Sequence, residues 1–466
     1  MSYKSFGRRI TCKSRISLSH YQSSIHTNVC NLARKVSKTQ LTFKEATHPS
    51  LTSKQMTVNN KRFKKELPKT FSELNLRTDV VDALTNIDIT QPSQIQALAI
   101  PKIVEGENVC LAAETGSGKT ITYLAPIYHL LKQEETILKI HSKKTRPRAI
   151  ILLPTAELCV QVLAVAKSLS HVAKLRPIAI YKGMAGAKLK SSIQTPFDIL
   201  ISTPMTLFLH RKYKTISLND VSYVVFDELD TLFDRSFRGI NYFILKSLNI
   251  RSTSDSEEGV QAIVAGASLA PELKKEILTH MPNMEFIRSD GLHKVLPHVE
   301  QRFHRCLPGE KEDTILNVLK NNTRLKTLIF CNTIVSVEWL YHHLTTNNFN
   351  VMKLHGDMPD DERHSIINKF QSEEDNILIS TDITSRGIDT IYVRHVIMFD
   401  FPSRPLDYLH RVGRTGRLNH LHVEGKRLFY KVSVLVVKHR DMRLAEQLKT
   451  ASRKRRPLDI YSSGWK

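Results

Sequence analysis

The sequence predicts an α/β protein of two tandem doubly wound parallel-sheet domains, joined by a short hinge and preceded by a disordered basic N-terminal extension. Three observations carry this expectation. From Phe71 onward, short β-branched apolar runs alternate with helical stretches, which is the rhythm of βαβ units. The rhythm stops once, around Ser289–His298, and then resumes. The first 70 residues hold 15 Lys and Arg against 2 Asp and Glu, so most of the net charge of +23 precedes the folded body.

The elements follow in chain order. Residues 1–44 contain no acid, nine Lys and Arg, and many Ser and Thr. Without an apolar h-region, residues 1–45 read as a mitochondrial transit peptide; a basic arm touching nucleic acid is the plainer alternative. Residues 46–69, with Lys61-Arg62-Phe63-Lys64-Lys65, read as a basic linker. In the first domain (70–290), Val109–Ala112, Ala149–Leu153, Ile178–Tyr181, Ile199–Ser202, Tyr223–Phe226 and Ala262–Ala265 read as buried parallel strands. Thr120–Leu131 and Ala156–Leu169 read as helices between them, and the polar run Arg251–Gly259 as a surface loop. Residues 291–298, with Gly291 and Pro297, form the hinge. The second domain (299–445) repeats the pattern at Thr327–Phe330, Val351–Leu354, Ile377–Ser380 and Val396–Phe399. The segment Leu418–Lys438 yields no assignable strands, and 446–466, with Arg453-Lys454-Arg455-Arg456, reads as a basic tail.

Bulk properties exclude some classes. No apolar run approaches the ~20 residues that cross a bilayer, so no membrane partner is expected. Six scattered cysteines lack metal-ligand spacing and read as buried thiols of a reducing compartment. Beyond residue 70 the body stays moderately basic, as suits a polyanionic partner.

The chemistry begins where the strand Val109–Ala112 runs into Ala113-Glu114-Thr115-Gly116-Ser117-Gly118-Lys119-Thr120 and then a helix. Small residues let backbone N–H groups wrap a phosphate, and the helix N-terminus adds its dipole. Lys119 would reach the β- and γ-phosphates and the Thr120 hydroxyl would ligate Mg²⁺. Tyr223–Phe226 ends in Asp227-Glu228, which sets two carboxylates at the carboxyl edge of the same sheet. Asp227 would hold Mg²⁺ and Glu228 would orient and deprotonate the attacking water.

With these motifs in this order, the chain resembles a DEAD-box ATP-dependent RNA helicase of helicase superfamily 2, and among these the fungal mitochondrial members involved in mitoribosome assembly. The resemblance runs from Phe71 to Arg417 and implies two RecA-like domains, with ATP and Mg²⁺ as cofactors. It implies that Phe71 and Gln96 of Pro92-Ser93-Gln94-Ile95-Gln96 serve adenine recognition, with Ile89 where an aromatic usually stacks. On the RNA side it implies contacts through Pro154, Thr155, Gly183, Thr203, Pro204, Thr381 and Asp382, and on the nucleotide side a cofactor ribose contact through Asp389. Arg414 and Arg417 match the arginine fingers that act with Lys119 and Glu228, and His410 couples that site to the first lobe. An arginine finger is worth about 10³–10⁵ in rate in GTPases.

Departures are concentrated in the first lobe. Ala156 and Thr206 stand where the family carries arginines, and Met184 replaces the second glycine of a pair. Leu229 replaces the alanine of the acid motif, and the coupling motif Ser-Ala-Thr reads Gly266-Ala267-Ser268. Two outcomes stay open: an ATP-dependent RNA helicase of the mitochondrial matrix, or a nucleotide-gated RNA clamp or assembly scaffold with little unwinding. The adenine-reading glutamine and the His410–Arg417 motif disfavour a DNA helicase. The expected partner is RNA, held by phosphates and 2′-hydroxyls with low sequence preference, including mitochondrial ribosomal RNA and assembly intermediates, and the chain is expected to be a monomer.

Overall fold

The computed structural model describes residues 67–454 and Leu458, apart from 185, 235–236, 252–258, 295–297, 308, 323–324, 373–375, 383–389, 391, 417–421, 424–425, 428 and 438. The expected transit segment, nearly all of the basic linker, Asp389 and Arg417 therefore lie outside the described residues.

The first lobe holds seven strands: β1 (Asn108–Ala112), β2 (Ala149–Leu152), β3 (Pro177–Ile180), β4 (Ile199–Ser202), β5 (Tyr223–Phe226), β6 (Gln261–Gly266) and β7 (Met284–Arg288). They pair in the order β3-β4-β2-β5-β6-β1-β7, and every pairing is parallel. All but β7 are buried along their whole length, because helices cover both faces and a strand buried on both sides needs apolar residues at successive positions. Two apolar layers result, one centred on Val109, Leu111 and Ile263 and the other on Cys110, Val264 and Phe226.

The second lobe carries β8 (Val299–Arg305), β9 (Thr327–Cys331), β10 (Val351–Leu354), β11 (Ile377–Thr381), β12 (His395–Met398), a short pair β13 (His422–Val423) and β14 (Lys426–Arg427), and β15 (Tyr430–Val436). Its main sheet runs β10-β11-β9-β12-β15-β8, again all parallel. Both expected sheets are present, with three strands more than the sequence pattern announced: β7, β8 and β15.

Two differences from the sequence reading concern boundaries and apolarity. The basic tail expected from 446 begins inside the helix His439–Lys454, which buries Ala445 and Leu448 in the second core; Leu458 joins the same core. Helix Ala156–Ala173 is, among the described residues, long and apolar enough by length and composition to cross a membrane. Its Cys159, Val162, Ala166 and Leu169 pack in the first core, which accounts for that composition.

Candidate functional site

The strand order divides the carboxyl edge of the first sheet into two territories. β1, β6 and β5 are neighbours, so the phosphate loop, Gly266 and Asp227 emerge side by side. β2, β4 and β3 lie beyond β5, and they carry Pro154, Thr203 and Gly183 away from the nucleotide. A switch in strand order of this kind opens the crevice in which α/β sheets bind ligands.

The phosphate loop is shaped by backbone that only glycine adopts readily. Gly116 and Gly118 have φ of +82° and +89°. A Cβ on Gly118 would stand 2.5 Å from the Gln96 amide nitrogen. Helix Gln94–Val104 begins with a capping box: the Ser93 N–H donates to Gln96 Oε1 at 2.8 Å, and the Ser93 hydroxyl donates to the Ser117 carbonyl at 2.8 Å. Gln96 Nε2 donates to the Gly118 carbonyl at 3.2 Å. The expected adenine reader is thus a buried brace beneath the phosphate loop, and one amide N–H and one lone pair are what it retains for a base edge. Phe71, expected in cofactor binding, is a core residue at 2% exposure and supports the site from within the apolar layer.

Across the loop, the Lys119 ammonium donates to the Ala113 and Glu114 carbonyls at 2.8 and 3.0 Å. Thr120 follows on the first helical turn, half-buried beside it. Asp227 is buried, accepts from the Tyr123 hydroxyl at 2.9 Å and from the Glu228 N–H at 2.8 Å, and its carboxyl is pushed up to about 6. Burial is the main cause, the neighbouring Glu228 carboxylate adds to it, and Lys119 opposes both. Glu228 adopts left-handed backbone, φ 55° and ψ 51°, a conformation that costs a non-glycine residue about 1 kcal/mol or more. All the donors assembled here are oxygens, with a buried carboxylate held against its preference for the neutral acid. That set suits a hard dication such as Mg²⁺, which takes one or two carboxylates and completes its shell with phosphates and water.

The second lobe meets this site through helix Pro405–Val412 and the turn after it. His410 Nε2 lies 3.2 Å from an Asp230 carboxylate oxygen. Gly413 presses on the phosphate loop, where a Cβ would overlap the Thr115 hydroxyl. Arg414, one expected finger, is buried just beyond this point. A second crossing joins Arg363 to Glu157 at 3.7 Å.

Sequence reasoning passed over Arg411, although it sits inside the His410–Arg417 motif. Arg411 is 1% exposed and donates to both Asp382 carboxylate oxygens at 2.7 Å, to Asn332 Oδ1 at 2.6 Å and to the Asp400 carbonyl at 2.8 Å. It thereby ties the ends of β11, β9 and β12 together. Asp382, expected to meet RNA, is the carboxylate that anchors Arg411, and its side chain keeps about a third of its surface exposed. Thr381 ends β11 next to it, half-buried. Tyr123 was also missed; its signal is the i, i+3 spacing from Thr120 on one helix face.

On the RNA side, local structure absorbs several side chains expected to reach the ligand. The Thr155 hydroxyl caps helix Ala156–Ala173 by accepting from the Leu158 N–H at 3.3 Å. Thr203 precedes helix Pro204–Lys212, and its hydroxyl lies 2.9 Å from that of Thr206. Pro154 and Pro204 are buried. Gly183 is exposed with φ +91°, in a turn in which the Met184 N–H donates to the Tyr181 carbonyl at 3.4 Å. In the coupling motif, the Gly266 carbonyl accepts from the Ala113 N–H at 3.1 Å, and Ala267 and Ser268 are buried.

Residues 93–275 match the DEAD/DEAH box helicase family, and residues 310–419 match the helicase conserved C-terminal domain. The chain is 34% identical over 404 residues to DEAD-box ATP-dependent RNA helicase 39 of Arabidopsis thaliana, covering 86% of this chain and 63% of the relative. It is also 34% identical over 413 residues to probable ATP-dependent RNA helicase DDX28 of Mus musculus, covering 84% and 75%. The fold is similar to that of Dbp5 from S. cerevisiae bound to RNA and ADP BeF3, with a TM-score of 0.70 at 22% identity over 83% of this chain and 94% of that one. Mss116p bound to ssRNA and AMP-PNP gives 0.70 at 21%, over 84% and 78%. A phosphate loop and an acidic pair on one sheet, faced by an arginine turn from a second sheet, carry the same conclusion as these matches: the chain belongs to the DEAD-box family of ATP-dependent RNA helicases.

Proposed function

We propose that this chain hydrolyses ATP to remodel or locally unwind structured RNA in the mitochondrial matrix, as a monomer, during large-subunit mitoribosome assembly or RNA processing. The observation that carries the enzymatic part is the close approach of Gly413 to Thr115, which brings the arginine turn of one lobe onto the phosphate loop of the other. Closure then completes the site: Lys119 and Arg414 oppose charge on the transferring phosphoryl, and Glu228 takes a proton from water. Magnesium bound with the triphosphate at Asp227 and Thr120 would supply charge neutralisation. RNA lying across both lobes favours the same closed form, so each ligand raises affinity for the other. The matrix location rests on the acid-free, basic and Ser-rich composition of residues 1–44.

A second reading, an ATP-gated RNA clamp with little unwinding, is favoured by Ala156 and Thr206, which leave the first lobe two cations short on its RNA side. RNA-stimulated ATPase and short-duplex displacement on the purified protein separate the two. Displacement at a rate that follows ATP turnover supports the helicase; turnover without displacement leaves the clamp; no turnover removes both. Crosslinking and sequencing of bound RNA tests the assembly role, and recovery of messenger or intron RNA in place of ribosomal RNA would sink it.

A further inference from the structure

The start of the hinge is not free chain. The Ser289 N–H donates to the Ala112 carbonyl at 3.1 Å, extending β7 against β1, and the Ser289 hydroxyl donates to the Glu114 carboxylate. The Asp290 N–H donates to Gln94 Oε1 at 2.9 Å, while Gln94 Nε2 donates to Asp290 Oδ2 at 2.6 Å. Gly291 lies against Glu114: a Cβ there would fall 2.6–2.9 Å from the Glu114 carboxyl atoms, so that carboxylate would have to shift to admit one. Glu114 belongs to the phosphate loop, and its carbonyl accepts from Lys119. Gln94 opens the helix whose Ser93 and Gln96 brace that same loop. The nucleotide loop and the first residues of the hinge are therefore held by one short helix end.

We propose that Gln94 and Asp290 form a latch that positions the hinge on the nucleotide-binding loop, so that ATP held there presents the second lobe in its closing orientation. Neither residue touches the reacting atoms; both are positioning residues. The latch is one amide-to-carboxylate bond between the side chains, with a second bond from the Asp290 backbone N–H to the Gln94 amide oxygen, and the side-chain bond sets the test. In Gln94→Glu two carboxylates face each other and repel, whereas Gln94→Glu with Asp290→Asn restores a donor–acceptor pair with the roles exchanged.

The proposal rests on mutual enhancement of ATP and RNA binding, so the coupling factor (the KM for ATP without RNA divided by that with saturating RNA) is measured first in the unmodified protein. Couplings of this kind are typically about 5–150-fold. Q94E is expected to lower the factor by about threefold or more with an unchanged thermal unfolding midpoint, and Q94E/D290N to recover it to within about twofold. The latch is overturned if the double variant does no better than Q94E, if Q94E matches the unmodified protein, or if Q94E lowers kcat while the coupling factor stays put. An unmodified protein with no coupling overturns both the latch and the clamp-closure reading.

Discussion

At the scale of single residues, the acidic pair concentrates the chemistry and the strain. Glu228 is held in left-handed backbone beside a carboxylate pushed up to about 6, a cost to the resting fold of the kind that concentrates at functional sites. Glu228→Gln should lower RNA-stimulated phosphate release by about 10²-fold or more, the usual size of a general-base contribution, while the unfolding midpoint holds. Asp227 gives a pH signature. An acid whose carboxyl is raised from 3.8 to about 6 on folding stabilises fully below pH 3.8 and loses that contribution as pH rises through about 6. At neutral pH the folded protein therefore carries a buried charge that a dication offsets. Mg²⁺ with an ATP analogue should raise the unfolding midpoint more at pH 7.5 than at pH 5.5, as read by thermal denaturation; equal shifts at both values would count against Asp227 as the metal ligand. Arg411 tests architecture. Arg411→Ala strips a nearly inaccessible cation from three strand ends and should destabilise the second lobe by about 3 kcal/mol, the low end for a broken buried pair because Asp382 is about a third exposed. The motifs spelled out Asp227 and Glu228 because they follow a plainly apolar strand, and Lys119 because it opens a helix behind a short glycine-rich loop that leaves such a strand. They did not spell out Arg411, whose partners come from three separate loops, nor the burial of Gln96, which depends on its tertiary hydrogen bond with Gly118.

At the scale of elements, most of the legible strands were those buried on both faces, with the partly buried edge strand β10 an exception. β1, β2, β4 and β5 read as continuous apolar runs. β7 and β8 sit at sheet edges, where solvent reaches part of each strand; β8 is Val-Glu-Gln-Arg-Phe-His-Arg, with charges at Glu300, Arg302 and Arg305 breaking any apolar run. β15 is apolar at most positions, yet it follows the Leu418–Arg427 stretch, which offers no pattern from which to count. The approach of Gly413 to the phosphate loop gives an element-level prediction. Gly413→Ala should hold the lobes apart locally and reduce RNA-stimulated turnover at least tenfold, with RNA-independent nucleotide binding affected much less; titration of a fluorescent ATP analogue separates the two. The thinned RNA edge gives another. Ala156→Arg with Thr206→Arg should steepen the dependence of RNA affinity on salt, with the slope of log K against log salt growing by about 0.7 for each phosphate newly neutralised. An unchanged slope would show that these positions do not face the RNA backbone.

For the whole molecule, two sheets of the same parallel construction meet through the turns at their carboxyl edges, and the proposed ligands would bind between them. The hinge that joins them has less play than its sequence suggests. With its first residues fixed to the phosphate loop, only residues 292–298 separate Gly291 from the start of β8. Seven extended residues span at most about 25 Å. Within that stretch the His293 carbonyl accepts from the Leu458 N–H at 2.9 Å, so the far end of the chain shortens the leash further. The attachment point of the second lobe then stays within about 25 Å of Gly291, a tether short enough to hold the effective concentration of the lobe near the millimolar range. In the proposed cycle, reopening after hydrolysis would be an excursion bounded by that tether, and the next encounter with ATP and RNA would start with the two lobes still close.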